Sequence, residues 1–445
     1  MITNKTVVAG DRLRAMIAAL RRVAPALCVL WAFVCVLGLA GCRGKVNEAH
    51  FRLENGLSVD LLATSKGDRA ALAVLFAVGA DQDPAGRSGM AHLVEHLFTT
   101  AGRDGKPPRT IEQWEAQYGH DGRAATGADY TLYAVEVPAG RILDEIDDAA
   151  LRMSRLDPTE SDLTRERSRL LAEIAVMQER DPMSSAMNRA AEALLPSRGG
   201  GVRGGVAKEI DAMTLPEVEA FRLAHYGGAT ARLVVAGRFD VEEVSKRIKA
   251  GLAKLPAGKA PEPRAPSASR VTGTLVMGDA PSAMALAIPV PEPKDPLYPA
   301  FLVLAARLAG PGAPARSWKV DFAPIARPDI LFVTAPIPQA QQAEATAARI
   351  RAEVNAIVTA PLAADESDRA LEMFGVQLGM KPLDAKACAA APHEAAFAAG
   401  RRAQLGVDGG ALAQAAHSIT PEQVAAAAQL FDSKSSAAVI AGGKI

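Results

Sequence analysis

The sequence predicts an α+β protein made of two copies of one unit, each an antiparallel-rich β-sheet with helices packed on one side. Three observations carry that expectation. First, residues 216–237 lie over 421–442 at a constant offset of 205 without a gap, pairing Pro216 with Pro421, Glu217 with Glu422, Tyr226 with Phe431, Val235 with Ile440 and Gly237 with Gly442. Both segments read as a Pro-initiated helix, a polar turn and a closing strand. Second, short apolar or β-branched runs (71–80, 123–138) alternate with stretches of helical periodicity, the pattern of a sheet covered by helices. Third, the Pro-rich stretch 255–269 has no apolar periodicity and reads as a linker. The expected division is a targeting segment 1–42, a first domain 43–258, a linker 259–269 and a second domain 270–445. A chain of 445 residues, 49% hydrophobic, supports two cores of about 200 residues each. Zero formal net charge and 4% aromatic residues argue against a nucleic-acid partner.

In chain order, Arg12, Arg14, Arg21 and Arg22 precede an apolar run from Val23 to Ala40. That run is about 18 residues long and broken by Pro25, marginal for a membrane span. It leads into Leu39-Ala40-Gly41-Cys42, which resembles a bacterial lipoprotein signal. The resemblance implies cleavage before Cys42, lipidation of that cysteine and a membrane anchor in the cell envelope. Arg43 after the cysteine resembles sorting to the outer membrane, facing the periplasm. Processing would remove Cys28 and Cys35 and leave Cys388 as a free thiol, so no disulfide framework is expected.

Residues 71–80, ALAVLFAVGA, form a continuous apolar run and read as a buried strand. The Gly-containing loop 85–89 then turns the chain into a short amphipathic helix carrying His92, Glu95 and His96. At about 100° per residue the two histidines lie about 40° apart, one turn from each other, with Glu95 beside them. Two imidazoles so placed form a bidentate site for zinc, and a neighbouring carboxylate can take a proton from the attacking water. This order, H-x-x-E-H, inverts the commoner H-E-x-x-H. A third ligand is expected from the helix 159–180, which opens on a capping box of Thr159 and Asp162 and stops at Asp181-Pro182. Glu166 and Glu173 are seven residues apart on it and face the same way. Segment 123–138 reads as a strand or hairpin, and the Gly-rich 197–206 as a surface loop rather than a phosphate cradle.

H-x-x-E-H followed, after 76 intervening residues, by Glu173 resembles the pitrilysin and insulin-degrading metallopeptidases, the inverzincins that include the mitochondrial processing peptidases. Segments 51–62, 77–102, 127–138 and 213–240 also look like that family. The resemblance implies that His92, His96 and Glu173 hold Zn2+, that Glu95 is the general base, and that Glu166 supports the site. It implies a peptide substrate added as a strand beside the zinc, with Arg123 and Ala124 at substrate-binding positions. Aligned through Thr126, Tyr130, Thr131 and Tyr133, the family's usual asparagine falls on Arg123. A guanidinium there would either favour acidic peptides or face solvent.

The second copy carries no metal motif. Where the first has its histidine helix, the second offers the apolar segment 298–310, and His393 and His417 are isolated. In the family, an arginine and a tyrosine from a facing unit hold substrate. Here the region 310–332 has Arg316 and Arg327 but no tyrosine, and Tyr298 lies ahead of it. The expectation is therefore a heterodimer with a similar chain that lacks zinc ligands and supplies the Arg/Tyr pair. The rival from another class is a non-enzymatic peptide-binding or scaffold subunit of the same fold. A complete ligand set with its base favours the zinc endopeptidase.

Overall fold

The computed structural model describes residues 44–441, apart from 120–121, 181, 196–204, 261–270, 278–281 and 311–315. The targeting segment with Cys42, most of the Gly-rich loop and most of the linker lie outside the described residues. No helix among the described residues is long and apolar enough to cross a membrane.

Among the described residues, eleven strands form two sheets. The first contains β1 (Asn47–Arg52), β2 (Ser58–Ala63), β3 (Arg69–Phe76), β4 (Gly122–Thr126), β5 (Thr131–Pro138) and β6 (Ala231–Gly237), in the order β1-β2-β6-β3-β5-β4. The second contains β7 (Gly273–Met277), β8 (Ala283–Pro289), β9 (Lys319–Ala323), β10 (Arg327–Pro336) and β11 (Ala437–Ala441), in the order β7-β11-β8-β10-β9. In both, the last strand of the unit inserts between two consecutive earlier ones. β6 runs parallel to β2 and antiparallel to β3, and β11 runs parallel to β7 and antiparallel to β8. The offset of 205 is thus visible in register: Val235 pairs with Leu61 and Leu72, and Ile440 pairs with Val276 and Met284. The expected α+β fold of two like units is the fold observed.

Each unit covers one face of its sheet with its own helices. In the first these are α1 (Met90–Thr100), α2 (Ile111–Tyr118), α3 (Ile142–Arg155), α4 (Glu160–Arg180), α5 (Pro182–Leu194), α6 (Leu215–His225) and α7 (Val241–Leu252), of which all but α5 lie on that face. Leu61, Val74, Phe76, Leu97, Ile146 and Ile248 meet in the core beneath them. In the second unit, α8 (Tyr298–Ala309), α9 (Ala343–Val358) and α10 (Glu366–Phe374) pack Phe301, Leu304 and Ile350 against Val333 and Ile440.

The opposite faces are covered by exchange, which extends the one-sided packing expected from sequence. After α11 (Ala385–Ala390), α12 (Pro392–Leu405) leaves the second unit and lies on the first sheet. There Ala395 and Ala396 pack with Leu62, Ala73, Leu75, Val234 and Cys388. Gly400 permits the approach, because a Cβ there would lie 2.6 Å from Leu75 Cδ1. In return α5 lies on the second sheet, setting Ala186, Ala190 and Leu194 against Ala285, Ala287, Phe332 and Val439. The sheets are therefore buried on both faces, which is why β8 and β11 read as unbroken apolar runs rather than alternating ones.

Candidate metal centre

The site is built on α1. The sequence suggests an amphipathic helix, but among its eleven residues only His92 is not buried. A helix enclosed on nearly every side needs both ends satisfied from within the protein. Gly89 turns into it at φ 97°, and the Asp83 carboxylate accepts the N–H groups of Gly89 (2.6 Å) and Ala91 (2.8 Å). At the other end, Arg152 and Arg109 donate to the carbonyl of Thr99 at 3.0 and 2.9 Å. An accepting carboxyl group at the N-terminus and cations at the C-terminus thus satisfy the free backbone groups at both ends.

α4 begins as the sequence predicts. Thr159 Oγ1 accepts the N–H of Asp162 at 3.2 Å, and Asp162 Oδ2 accepts the N–H of Thr159 at 3.0 Å. From there Glu166 and Glu173 point to the same helix, α1. His92 Nε2 lies 3.8 Å from Glu173 Oε1, and His96 Nε2 lies 3.6 Å from Glu173 Oε2. One ligand atom from each of His92, His96 and Glu173 lies within 4.8 Å of the others. Zinc bonds of about 2.0–2.2 Å in tetrahedral geometry set ligand atoms about 3.3–3.6 Å apart, so these donors fit the ion with small adjustments. Two imidazoles and one carboxylate also form a donor set that leaves a fourth position open.

Glu166 is almost fully buried behind His96, with Oε2 3.6 Å from Nδ1. Its charge is held by Arg165 Nε at 2.9 Å and Arg169 Nε at 3.0 Å. Burial raises the Glu166 pKa, but His96 and Arg169 outweigh it and the net shift is downward. Glu173 is also lowered, chiefly by its contact with His96. For His96 burial opposes the charged form, yet the two flanking glutamates prevail and its pKa is raised.

Glu95 is buried beside this group, and Thr126 Oγ1 donates to its Oε2 at 2.6 Å. Thr126 and Arg169 are the site residues that sequence reasoning missed. Arg169 had a usable signal, since Glu166, Arg169 and Glu173 fall at i, i+3 and i+7 on one face. Thr126 entered only as an aligned position, and nothing local connects it with a residue 31 positions earlier.

The four residues His92, Glu95, His96 and Glu173 open into a cavity of about 810 Å³. Its walls come from both units: Ala124 and Thr126 on β4, and Arg327 and Ile330 on β10. Arg123 is half exposed and does more than face solvent, its guanidinium pairing with Glu394 on α12 at 3.1 Å. Arg316 stacks over Trp318 and donates to the Leu308 carbonyl, while Tyr298 is fully buried in the second core.

Residues 59–196 match the family model described as Insulinase (Peptidase family M16), and residues 212–374 match that of the Peptidase M16 inactive domain. Among curated proteins, the chain is 28% identical over 208 residues to coenzyme PQQ synthesis protein F of Klebsiella pneumoniae, a match covering 45% of this chain and 27% of that one. It is 25% identical over 149 residues to Protease 3 of Escherichia coli, covering 34% of this chain and 15% of that one. The matches thus span about a quarter or less of these curated relatives. Among solved structures, a protease from Helicobacter pylori superposes with a TM-score of 0.72 at 17% identity, covering 89% of this chain and 99% of that one. The periplasmic protease PqqL of Escherichia coli gives a TM-score of 0.64 at 18% identity, covering 89% of this chain and 48% of that one. At such identities the structural likeness is one of fold. With both units matched in order along the sequence, the chain belongs to the insulinase family of peptidases, family M16.

Proposed function

We propose that this chain is a zinc-dependent endopeptidase that hydrolyses short or unfolded peptides in an enclosed chamber. The observation that carries the reading is the convergence of His92, His96 and Glu173, contributed by two helices, beside a buried Glu95. Zinc held by those three residues would polarise the scissile carbonyl and lower the pKa of a water towards about 7. Glu95 takes the proton of the attacking water and returns it to the leaving amine. Its Oε2 already accepts the Thr126 hydroxyl, which leaves Oε1 for that transfer. Glu166 holds His96 from the Nδ1 side. Substrate would lie along β4, the end strand of its sheet, whose Ala124 and Thr126 line the cavity. Selection would then follow from fit to the chamber and the ability to form a strand.

The chamber would be completed by a second, similar chain without zinc ligands that supplies the Arg/Tyr pair, since Arg327 borders this cavity but no tyrosine lies within 310–332 beside it. Arg316 and Tyr298 are engaged elsewhere, which supports that incompleteness. Lipidation at Cys42 would tether the assembly to the envelope membrane, in the outer membrane facing the periplasm. Arg123 in place of asparagine, tied to Glu394, favours the rival reading of a peptide-binding subunit without turnover.

The test is metal content and cleavage of a quenched peptide by the purified chain, with and without its co-purifying partner, beside Glu95→Gln. The expected result is one zinc per chain in both forms and turnover only in the wild type, strongest with the partner. Absence of bound zinc would reject the reading. Undiminished turnover by Glu95→Gln would reject the base assignment, and full activity without a partner would reject the heterodimer.

A further inference from the structure

The proposed base is joined by one hydrogen bond to the strand edge beside it. Thr126 ends β4, pairing with Thr131 of β5, and no described strand pairs the other edge of β4. The turn that follows is clamped. Gly127 N–H donates to the Tyr130 carbonyl at 2.8 Å, while the N–H groups of Ala80 and Asp81 donate to the carbonyls of Gly127 and Ala128 at 3.0 and 2.8 Å. Gly79 lies so close beneath this turn that a Cβ would stand 2.5 Å from the Gly127 carbonyl oxygen. The backbone presenting the Thr126 hydroxyl therefore has little freedom, and its β-branched side chain has few rotamers. Opposite, Glu95 stands on a helix fixed at both ends.

A glutamate carboxylate on a flexible stem can rotate about its last bond, and a general base must present one oxygen to the proton it removes. We propose that Thr126 is a positioning residue for the proton-transfer step: its hydroxyl anchors Oε2 of Glu95 and so presents Oε1 to the attacking water. This rests on Glu95 being the base. It also makes strand docking and base orientation properties of one hairpin, since Ala124 and Ala125, next to Thr126, line the cavity.

The test compares Thr126→Val, which keeps shape and removes the donor, with Thr126→Ser, which keeps the donor, in the zinc-loaded full chain with its partner. Thr126→Val should lower kcat by about 10- to 100-fold, the scale of a misplaced reacting group, with KM changed by less than about twofold. Zinc stoichiometry and thermal midpoint should stay at wild-type values, and Thr126→Ser should recover most of kcat. In the Glu95→Gln background, Thr126→Val should cost nothing further in turnover or in affinity for an uncleaved peptide, because the group it orients is gone. A Thr126→Val enzyme with wild-type kcat overturns the proposal, as does a Thr126→Ser enzyme no better than the valine variant. Loss of zinc in the valine variant also overturns it, by assigning the contact a structural role. Turnover retained by Glu95→Gln alone overturns the base reading and this inference with it. An active wild type with an inert Glu95→Gln and an unaffected Thr126→Val overturns this inference alone.

Discussion

Glu166 stands on the far side of the imidazole that Glu173 faces: its Oε2 is 3.6 Å from His96 Nδ1, and Glu173 Oε2 is 3.6 Å from Nε2 of the same ring. The two carboxylates have different duties because their surroundings differ. Glu166 is buried and pinned by Arg165 and Arg169, so it stays behind the ring. Glu173 is nearly half exposed and borders the cavity. The Nδ1 side of the ring meets both the Glu166 carboxylate and Arg169, whose Nε–H reaches Nδ1 at 3.2 Å; a metal at Nε2 needs the tautomer with its proton on Nδ1, which the Glu166 charge favours.

Glu166→Gln tests that division. The amide keeps the shape but loses the charge that favours Nδ1–H, so zinc affinity should fall by about 10- to 100-fold. Competition against a chromophoric chelator measures it. Unchanged affinity would mean that packing alone orients His96.

Glu173→Ala removes a ligand rather than its support. A metal that binds only the folded state raises the thermal midpoint as its free concentration rises above Kd. Wild-type protein should therefore gain stability with zinc and lose it to a chelator, whereas Glu173→Ala should respond little to either. Stoichiometric, tightly held zinc in the alanine variant would remove Glu173 from the ligand set.

What sequence disclosed and what it did not divide along physical lines. The facing of His92 and His96, the shared face of Glu166 and Glu173, and the capping box at Thr159 follow from helix geometry within a few residues. The repeat was legible because strand and helix registers survived together, from Pro216 to Gly237 and from Pro421 to Gly442. Contacts set by tertiary packing left no such trace. Arg123 meets Glu394 across 271 positions, and Thr126 meets Glu95 across 31. The exchanged helices α5 and α12 are alanine-rich, and an apolar stripe does not say whose sheet it covers. The same exchange buries both faces of each sheet; the unbroken apolar runs of β3, β8 and β11 record that burial but not which helix supplies it.

Arg401→Met addresses the exchange. Arg401 on α12 is 1% exposed, donates to Asp129 at 3.0 Å and to the Ile325 carbonyl at 2.9 Å, and lies 4.2 Å from the Tyr130 ring centre. It thus links the hairpin after β4 with the turn before β10. Methionine keeps most of the stem but leaves a carboxylate and a carbonyl without their donor. Since Asp129 retains some solvent contact, the cost should be about 2–3 kcal/mol, at the low end for breaking a buried pair. Urea denaturation measures it, and a loss under about 0.5 kcal/mol would mean that solvent replaces the guanidinium.

Asp83→Asn probes the cap of the metal-bearing helix through pH. Burial raises the Asp83 carboxyl from 3.8 to about 7, more than the N–H groups of Ala91, Gly89 and Met90 lower it. The folded protein thus binds this proton more tightly than the unfolded chain does. The corresponding stabilisation is full below 3.8, declines as pH rises, and is lost once pH passes about 7. Asparagine resembles the protonated acid and does not titrate. Wild-type stability should therefore fall relative to Asp83→Asn between about pH 5 and about pH 8, with the difference concentrated below the folded pKa. Paired denaturation curves across that range read the effect directly. A gap between the two proteins that stays constant with pH would show that the Asp83 carboxylate is already ionised throughout, with its helix N–H partners winning over burial.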